Sequence, residues 1–138
     1  MKFLINFFAS LLFLFFALNS ANAKPFDFTD WDKILKKHVK PSQLSGISLN
    51  TVDYVKLKSD PLFHRLQKNL DLFSLSDLNT EKEKLTFWIN VYNIFAVKVV
   101  TDNYPLRSIK EIGGLFTSVW EIKAGTVGGR KYSLDEIE

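Results

Sequence analysis

The strongest pattern of apolar and polar positions lies between residues 75 and 105. Thr80 and Glu83 have the spacing of a helix capping box, and Pro105 marks the end of the helix that follows. Between them, apolar residues fall in almost every direction of a helical wheel. They are Leu85, Phe87, Trp88, Ile89, Val91, Tyr92, Ile94, Phe95, Ala96, Val99 and Val100. A helix that is apolar all round is normally buried all round, so the pattern predicts a central helix surrounded by the rest of the domain.

An amphipathic helix is predicted earlier, in "DFTDWDKILKKHVK". Apolar residues recur on one side at helical spacing, while four lysines face the other way. Thr29 or Asp30 can cap its N-terminus. The following "PSQLSG" is expected to end this helix, with Pro41 and Gly46 as breaking residues.

A second amphipathic helix is predicted in "SDPLFHRLQKNLDLF". Ser59 or Asp60 can cap it, and Pro61 suits the first turn, where its missing N–H has no helical acceptor. The segment "ISLNTVDYVKLKSD" overlaps its start and is ambiguous. Its apolar positions suit either a short strand or a single helical turn.

The pattern changes after the central helix. Ser108, Glu111 and Gly113 predict a small capped turn, and "LFTSVWEIKAGTVGGRKYS" is typical of β structure. Gly128-Gly129 supplies the hairpin turn. The elements together predict a helix-rich α+β fold. A central buried helix would be surrounded by other helices, with a small antiparallel hairpin or sheet at the C-terminal end.

The first 23 residues have the features of a secretory signal peptide. Lys2 supplies the positive start, Phe7–Leu18 is almost wholly apolar, and Ala21 and Ala23 occupy the small positions of a cleavage site. The apolar run is shorter than the ~20 residues of a membrane span, although an uncleaved anchor is the alternative. We therefore expect cleavage after Ala23, no stable membrane span afterwards, and export to the periplasm or the extracellular medium.

Composition excludes several classes of function. The chain has no cysteine, which rules out disulfides, thiol catalysis and thiolate metal sites. Without Lys2, 17 of the 18 basic residues remain against 15 acidic ones, so the mature chain is nearly neutral. That balance gives no reason to expect nucleic acid as a partner. The sequence contains no phosphate loop, nucleophile elbow, zinc-protease helix or EF-hand loop, and we predict neither a metal nor a cofactor.

Thr86, Asn90 and Asn93 form a polar stripe on the otherwise apolar central helix. A buried amide without partners costs on the order of 1–3 kcal/mol, so both asparagines need partners. One interpretation is structural, with the amides bonded to the backbone of loops that cross the helix. The other is functional, with the stripe lining a cleft in which an asparagine holds a substrate carbonyl or amide.

His38 and Asp53 are the candidate catalytic residues. His38 lies on the apolar side of the first helix, either as a histidine at the edge of the core or as a general base that faces the asparagines. Asp60 is explained as a helix cap, whereas Asp53 has no such explanation in the sequence. A hydrolase-like enzyme would place His38, Asp53 and Asn90 or Asn93 around one polar cleft.

Several short strings, in this order, resemble a known family. "WDKILKKHV", "VDY", "FWINVYN", "YPLRSI" and "VGGRKYSLDEIE" are similar to the mostly bacterial family called domain of unknown function 547. The similarity covers nearly all of residues 24–138, and members of the family often look exported. The resemblance implies no activity, because none is established for the family that could be carried over to these residues.

The last residues predict a domain that continues. In "YSLDEIE", Ser133 and Glu136 have the spacing of a capping box, yet only about one turn follows, far below the ~12 residues of a marginal isolated helix. In the family, the pattern runs on past the "IE" string. We therefore expect residues 24–138 to be the N-terminal part of a larger domain. The alternative is that a protein partner or a second copy covers the central helix.

The sequence favours a non-catalytic binding or interaction module of the bacterial envelope over the hydrolase-like enzyme. Convergence of His38, Asp53 and Asn90 in an open cleft would support the enzyme. Dispersed positions, or amides bonded to backbone, would support the module.

Overall fold

The computed structural model describes residues 24–114 and 117–138. In chain order, its elements are α1 (Thr29–His38), β1 (Val39–Leu44), β2 (Ile47–Val52), α2 (Tyr54–Lys58), α3 (Pro61–Leu72), α4 (Glu81–Asn103), β3 (Lys123–Val127) and β4 (Arg130–Ser133). Short 3-10 turns at Leu75–Asp77 and Ile109–Ile112 flank α4. The α+β class is confirmed, because these described ranges contain helices and two separate two-stranded antiparallel sheets.

The predicted leader and its cleavage site after Ala23 lie outside the described residues, as do Leu115 and Phe116. None of the helices in the described ranges combines the length and the hydropathy needed to cross a membrane.

α1 forms without either of the caps predicted for it. Its first residue is Thr29, whose amide donates a hydrogen bond to Asp27 Oδ1 at 2.9 Å. Asp30 lies inside the helix, where its carboxylate accepts a hydrogen bond from Arg65 Nε of α3 at 2.8 Å. The capping prediction is therefore wrong, but the amphipathic pattern is confirmed, because the apolar side of α1 is buried.

The segment that was expected only to break α1 forms the first hairpin. β1 pairs antiparallel with β2 along the full length of both strands, and Ser45 and Gly46 make the turn with φ of 52° and 82°. The ambiguous segment contains both predicted forms, since β2 is followed directly by the helical turn α2. Pro41 does not prevent pairing here, because each strand of a two-stranded sheet keeps one unpaired edge.

α4 begins and ends where the sequence predicts. Thr80 Oγ1 accepts a hydrogen bond from the Glu83 amide at 3.1 Å, and Glu83 Oε2 accepts one from the Thr80 amide at 2.9 Å. The helix ends at Asn103, two residues before Pro105. Asp60 caps α3, also as predicted.

The core lies along one side of α4. The residues that α4 buries are Phe87, Val91, Ile94, Phe95, Val99 and Thr101. The neighbouring elements bury Trp31, Ile34, Phe63, Leu66, Leu70, Ala124, Val127 and Tyr132 against them. The prediction of burial on every side is wrong, because Leu85 and Ile89 are 64% and 53% exposed. No element of the described part of the chain covers these two side chains.

The C-terminal hairpin forms as predicted, and its turn is hydrogen-bonded to the C-terminal end of α3. Gly128 and Gly129 make its turn with φ of 56° and 77°, a conformation that favours glycine. Their amides donate hydrogen bonds to the carbonyls of Leu70 and Asp71 at 3.1 Å and 3.0 Å. The turn therefore satisfies the Asp71 carbonyl, which the end of the helix leaves open, and adds a second donor to the Leu70 carbonyl, which already accepts from the Phe73 amide at 3.2 Å.

Candidate functional site

His38 and Asp60 form a buried pair between α1 and α3. His38 Nε2 lies 2.6 Å from Asp60 Oδ2, and each residue is 3% exposed. Lys37 Nζ donates to the same oxygen at 2.7 Å, and the Leu62 amide donates to Oδ1 at 2.8 Å. Asp60 is thus more than the helix cap that the sequence predicts, because its carboxylate also joins α1 to α3.

The surroundings of Asp60 keep it ionised. Burial by itself would raise the pKa of this carboxyl group, because water no longer solvates its charge. Hydrogen bonds from Lys37, His38 and the Leu62 amide outweigh burial and hold the pKa well below its ordinary range. The carboxylate is therefore fully bonded within the fold at neutral pH.

The pair resembles the part of a catalytic triad in which a carboxylate orients an imidazole. A general base must also come within ~3 Å of a substrate proton. Five clefts on the described surface are lined by other residues and reach neither His38 nor Asp60. The geometry favours the interpretation of His38 as a histidine at the edge of the core.

Asp53 caps α2, contrary to the expectation that it has no capping role. Its Oδ1 accepts a hydrogen bond from the Lys56 amide at 3.1 Å, and Lys56 Nζ lies 2.8 Å from Oδ2. These bonds hold the pKa of Asp53 below its usual value. The Asp53 amide also donates to the His38 carbonyl at 3.0 Å. The two residues are therefore neighbours through the main chain, while their side chains bond different partners.

The polar stripe lies on one side of α4, but no loop among the described residues is hydrogen-bonded to its side chains. Asn90 Nδ2 donates to the Thr86 carbonyl one turn earlier in the same helix, at 2.8 Å. Asn93 and Thr86 are exposed, so water can satisfy their polar groups. The expectation of two buried amides that hold crossing loops is wrong. The stripe also fails to line one cleft, because Thr86 and Asn93 border different ones.

The candidate residues therefore occupy three separate environments: a buried pair, the cap of α2, and an outer side of α4. Within residues 24–114 and 117–138, His, Asp and Glu side chains form no group of three that could hold a metal ion. This arrangement does not assemble the polar cleft of the hydrolase-like alternative.

The apolar face of α4, which we define as Leu85, Trp88, Ile89 and Tyr92, is the side of the central helix that the described residues leave uncovered, for which the sequence leaves a protein partner or a second copy as an alternative cover. It lines a cleft of about 410 Å³ together with Asn93, Ile137 and Glu138. Trp88 and Tyr92 are half-buried, and the Trp88 ring packs on Tyr132 with centroids 5.0 Å apart. The wheel shows that these residues are apolar, but it cannot show whether another element covers them.

Comparison with known proteins assigns part of the chain to a family. Residues 75–138 match the model of a family described as "Protein of unknown function, DUF547". This segment is similar to the DUF547 family. The DUF547 match contains "FWINVYN", "YPLRSI" and "VGGRKYSLDEIE", so the resemblance is confirmed for these strings. Neither the curated proteins nor the solved structures yielded a match.

The DUF547 segment contains the whole apolar face of α4 and both strands of the C-terminal hairpin. "WDKILKKHV" and "VDY", together with the His38–Asp60 pair, precede the matched residues. That pair has no sequence signature, because its two members lie on different helices and each looks ordinary in its own segment.

Proposed function

We propose that this protein is a non-catalytic interaction module, exported from a bacterial cell, whose apolar face binds an amphipathic helix of a partner protein. The observation that supports it is the exposure of Leu85 and Ile89, 64% and 53%, on the helix whose other side builds the core. Contiguous apolar side chains at a surface are typical of interaction sites.

The composition of the face supports a helical partner. Leu85 and Ile89 are four residues apart and project from the same side of α4, which is the spacing that packs against another helix. Trp88 and Tyr92 provide aromatic contact area beside them, and Asn93 and Glu138 form a polar edge. An apolar centre with aromatic residues and a polar rim is the usual composition of a protein-binding surface.

Export is the second part of the proposal. It is supported by the positive start at Lys2, the apolar run Phe7–Leu18 and the small residues Ala21 and Ala23. N-terminal sequencing of protein recovered from the periplasm or the medium should give Lys24 as the first residue. Recovery only from membranes with Met1 intact would contradict export.

Site-specific photo-crosslinking tests the apolar face. A photoreactive amino acid replaces Ile89 in the chain expressed in its own cells, and a matched control replaces Val55 of α2, which is 65% exposed. We expect position 89, but not position 55, to crosslink to one defined protein.

Two other outcomes would contradict the proposal. A crosslink from position 89 to a second copy of this chain would show that the apolar face mediates self-association and does not bind a partner protein. Equal labelling at positions 55 and 89, or none at either, would show that the apolar face binds no helix.

A further inference from the structure

A second concave surface lies where α3, α4 and the C-terminal hairpin meet. It encloses about 460 Å³. Its floor is apolar and tightly packed: Phe95 and Ala124 are almost completely buried, and a Cβ at Gly125 would collide with the Phe95 ring. A volume of this size falls within the ~300–1,000 Å³ of small-molecule sites.

The walls of this cleft carry positive charge from four elements. Lys68 comes from α3, Lys98 from α4, Lys123 from β3 and Lys131 from β4. Among the described residues that line it, Asp71 is the single acidic one, so four positive charges face one negative charge. The lysines lie far apart in the sequence, which is why no sequence motif marks the cleft.

Two of the four lysines already have carboxylate partners. Lys98 pairs with Asp102 in the next turn of α4, and Lys123 pairs with Glu136. The Lys123 bond, with that of the Ser133 amide, lowers the pKa of Glu136 to about 2, so this pair is ionised at neutral pH.

Lys68 and Lys131 differ from these two. Within the part of the chain that the structure describes, no carboxylate oxygen lies within 4.0 Å of either ammonium group. Thr126 is the cross-strand partner of Lys131 in the hairpin. Directly opposite residues in such a pair have Cβ atoms about 5 Å apart, so the Thr126 hydroxyl and the Lys131 side chain start from neighbouring positions on the same side of the hairpin.

We propose that this cleft binds a small polyol phosphate, with Lys68 and Lys131 holding the phosphate group. Lysine interacts with phosphate as a point charge, whereas planar two-point recognition of a carboxylate favours arginine. The described lining contains four lysines and no arginine. The Thr126 hydroxyl can donate to the same phosphate, and the Asp71 carboxylate can accept hydrogen bonds from hydroxyl groups of the polyol.

Titration of the full chain with glycerol 3-phosphate, followed by amide NMR, tests this site. We expect saturable shifts at Thr126 and Lys131, and none with glycerol or with sodium chloride at equal ionic strength. The double variant Lys68→Gln/Lys131→Gln should weaken binding by about tenfold or more, because both charge-assisted contacts are lost.

The matched control is Lys33→Gln/Lys58→Gln, which removes the same charge from exposed residues of α1 and α2. Equal weakening in both double variants, or shifts that do not saturate, would overturn the site and indicate attraction by net charge only. Thermal melting of each variant verifies the fold, since substitutions of exposed residues of this kind should leave the melting temperature nearly unchanged.

Vesicles containing phosphatidylglycerol distinguish a free ligand from a lipid headgroup. Co-sedimentation that is lost in Lys68→Gln/Lys131→Gln, and kept in Lys33→Gln/Lys58→Gln, would identify the phosphate as that of a lipid. Binding of glycerol 3-phosphate without vesicle binding would identify a free ligand. If neither glycerol 3-phosphate nor the vesicles bind, the proposed phosphate site is refuted. The separate proposal that the apolar face of α4 binds a partner helix would not be affected by that result.

Discussion

Replacing Asp60 by asparagine measures how much the buried charge of this side chain contributes to the free energy of unfolding. Asparagine retains a side-chain oxygen that can cap α3, so the bond to the Leu62 amide can be kept. What is lost is the negative charge beside His38, which is 3% exposed, and Lys37. Removing one member of a buried pair typically costs about 3–5 kcal/mol. We expect about 3 kcal/mol, since the Lys37 side chain is 59% exposed and water can solvate it again.

Urea unfolding followed by tryptophan fluorescence measures this loss of stability. Trp31 is buried on α1, so its fluorescence is sensitive to the packing of α1 against α3. A loss of that size is a large part of the free energy of unfolding of a typical domain, about 5–15 kcal/mol. The urea concentration at the unfolding midpoint should therefore fall strongly. Asp53→Asn is the matched control, because Asp53 also caps a helix but pairs with Lys56, whose side chain is 77% exposed. Similar small shifts in both variants would refute the assigned role of the Asp60 charge.

Three further predictions concern acid stability and packing. Because the folded-state pKa of Asp60 lies below its unfolded value of ~3.9, its stabilising contribution is full above about pH 5 and is lost as the pH falls through the folded pKa. Urea midpoints at pH 6 and pH 3 should therefore differ less in Asp60→Asn than in the parent chain, and equal differences would contradict this. Ile89→Lys should leave the urea midpoint nearly unchanged, whereas Val91→Ala, at a fully buried position of the same helix, should lower the free energy of unfolding by about 2 kcal/mol. Equal losses in the two variants would contradict the burial of only one side of α4. Gly125→Ala should cost about 1–3 kcal/mol in the same assay, because the new methyl group meets the Phe95 ring, and an unchanged midpoint would contradict that contact.

Features that depend on a few adjacent residues could be predicted from the sequence. The capping box of Thr80 and Glu83 and the turn at Gly128 are confirmed because their chemistry is local. The cap assigned to Asp60 is confirmed for the same reason. The predicted α1 cap is wrong by only a few residues, since Asp27 supplies the side-chain oxygen that the sequence assigns to Thr29 or Asp30.

Features that depend on distant elements could not be predicted. Leu85 and Ile89 are as apolar as the buried residues of α4, and only the arrangement of the other elements leaves them exposed. The pairing of His38 with Asp60 requires α1 and α3 to be placed side by side. The lysine-lined cleft likewise exists only where three parts of the chain meet, so Lys68 and Lys131 show no relation in the sequence.

The Gly128 and Gly129 amides, which lie inside the segment that matches the family, donate hydrogen bonds to the end of α3, which lies outside it. The DUF547 match begins at residue 75, after α3 has ended, yet it contains the turn whose amides donate to the carbonyls of Leu70 and Asp71. During synthesis, α3 leaves the ribosome before that turn exists, so the Asp71 carbonyl depends on water until the hairpin forms, whereas the Leu70 carbonyl already accepts from the Phe73 amide. The sequence boundary of the match therefore separates elements that are hydrogen-bonded to each other and share one core. A piece that began at residue 75 would leave two turn amides without their acceptors and the buried side of α4 without α3.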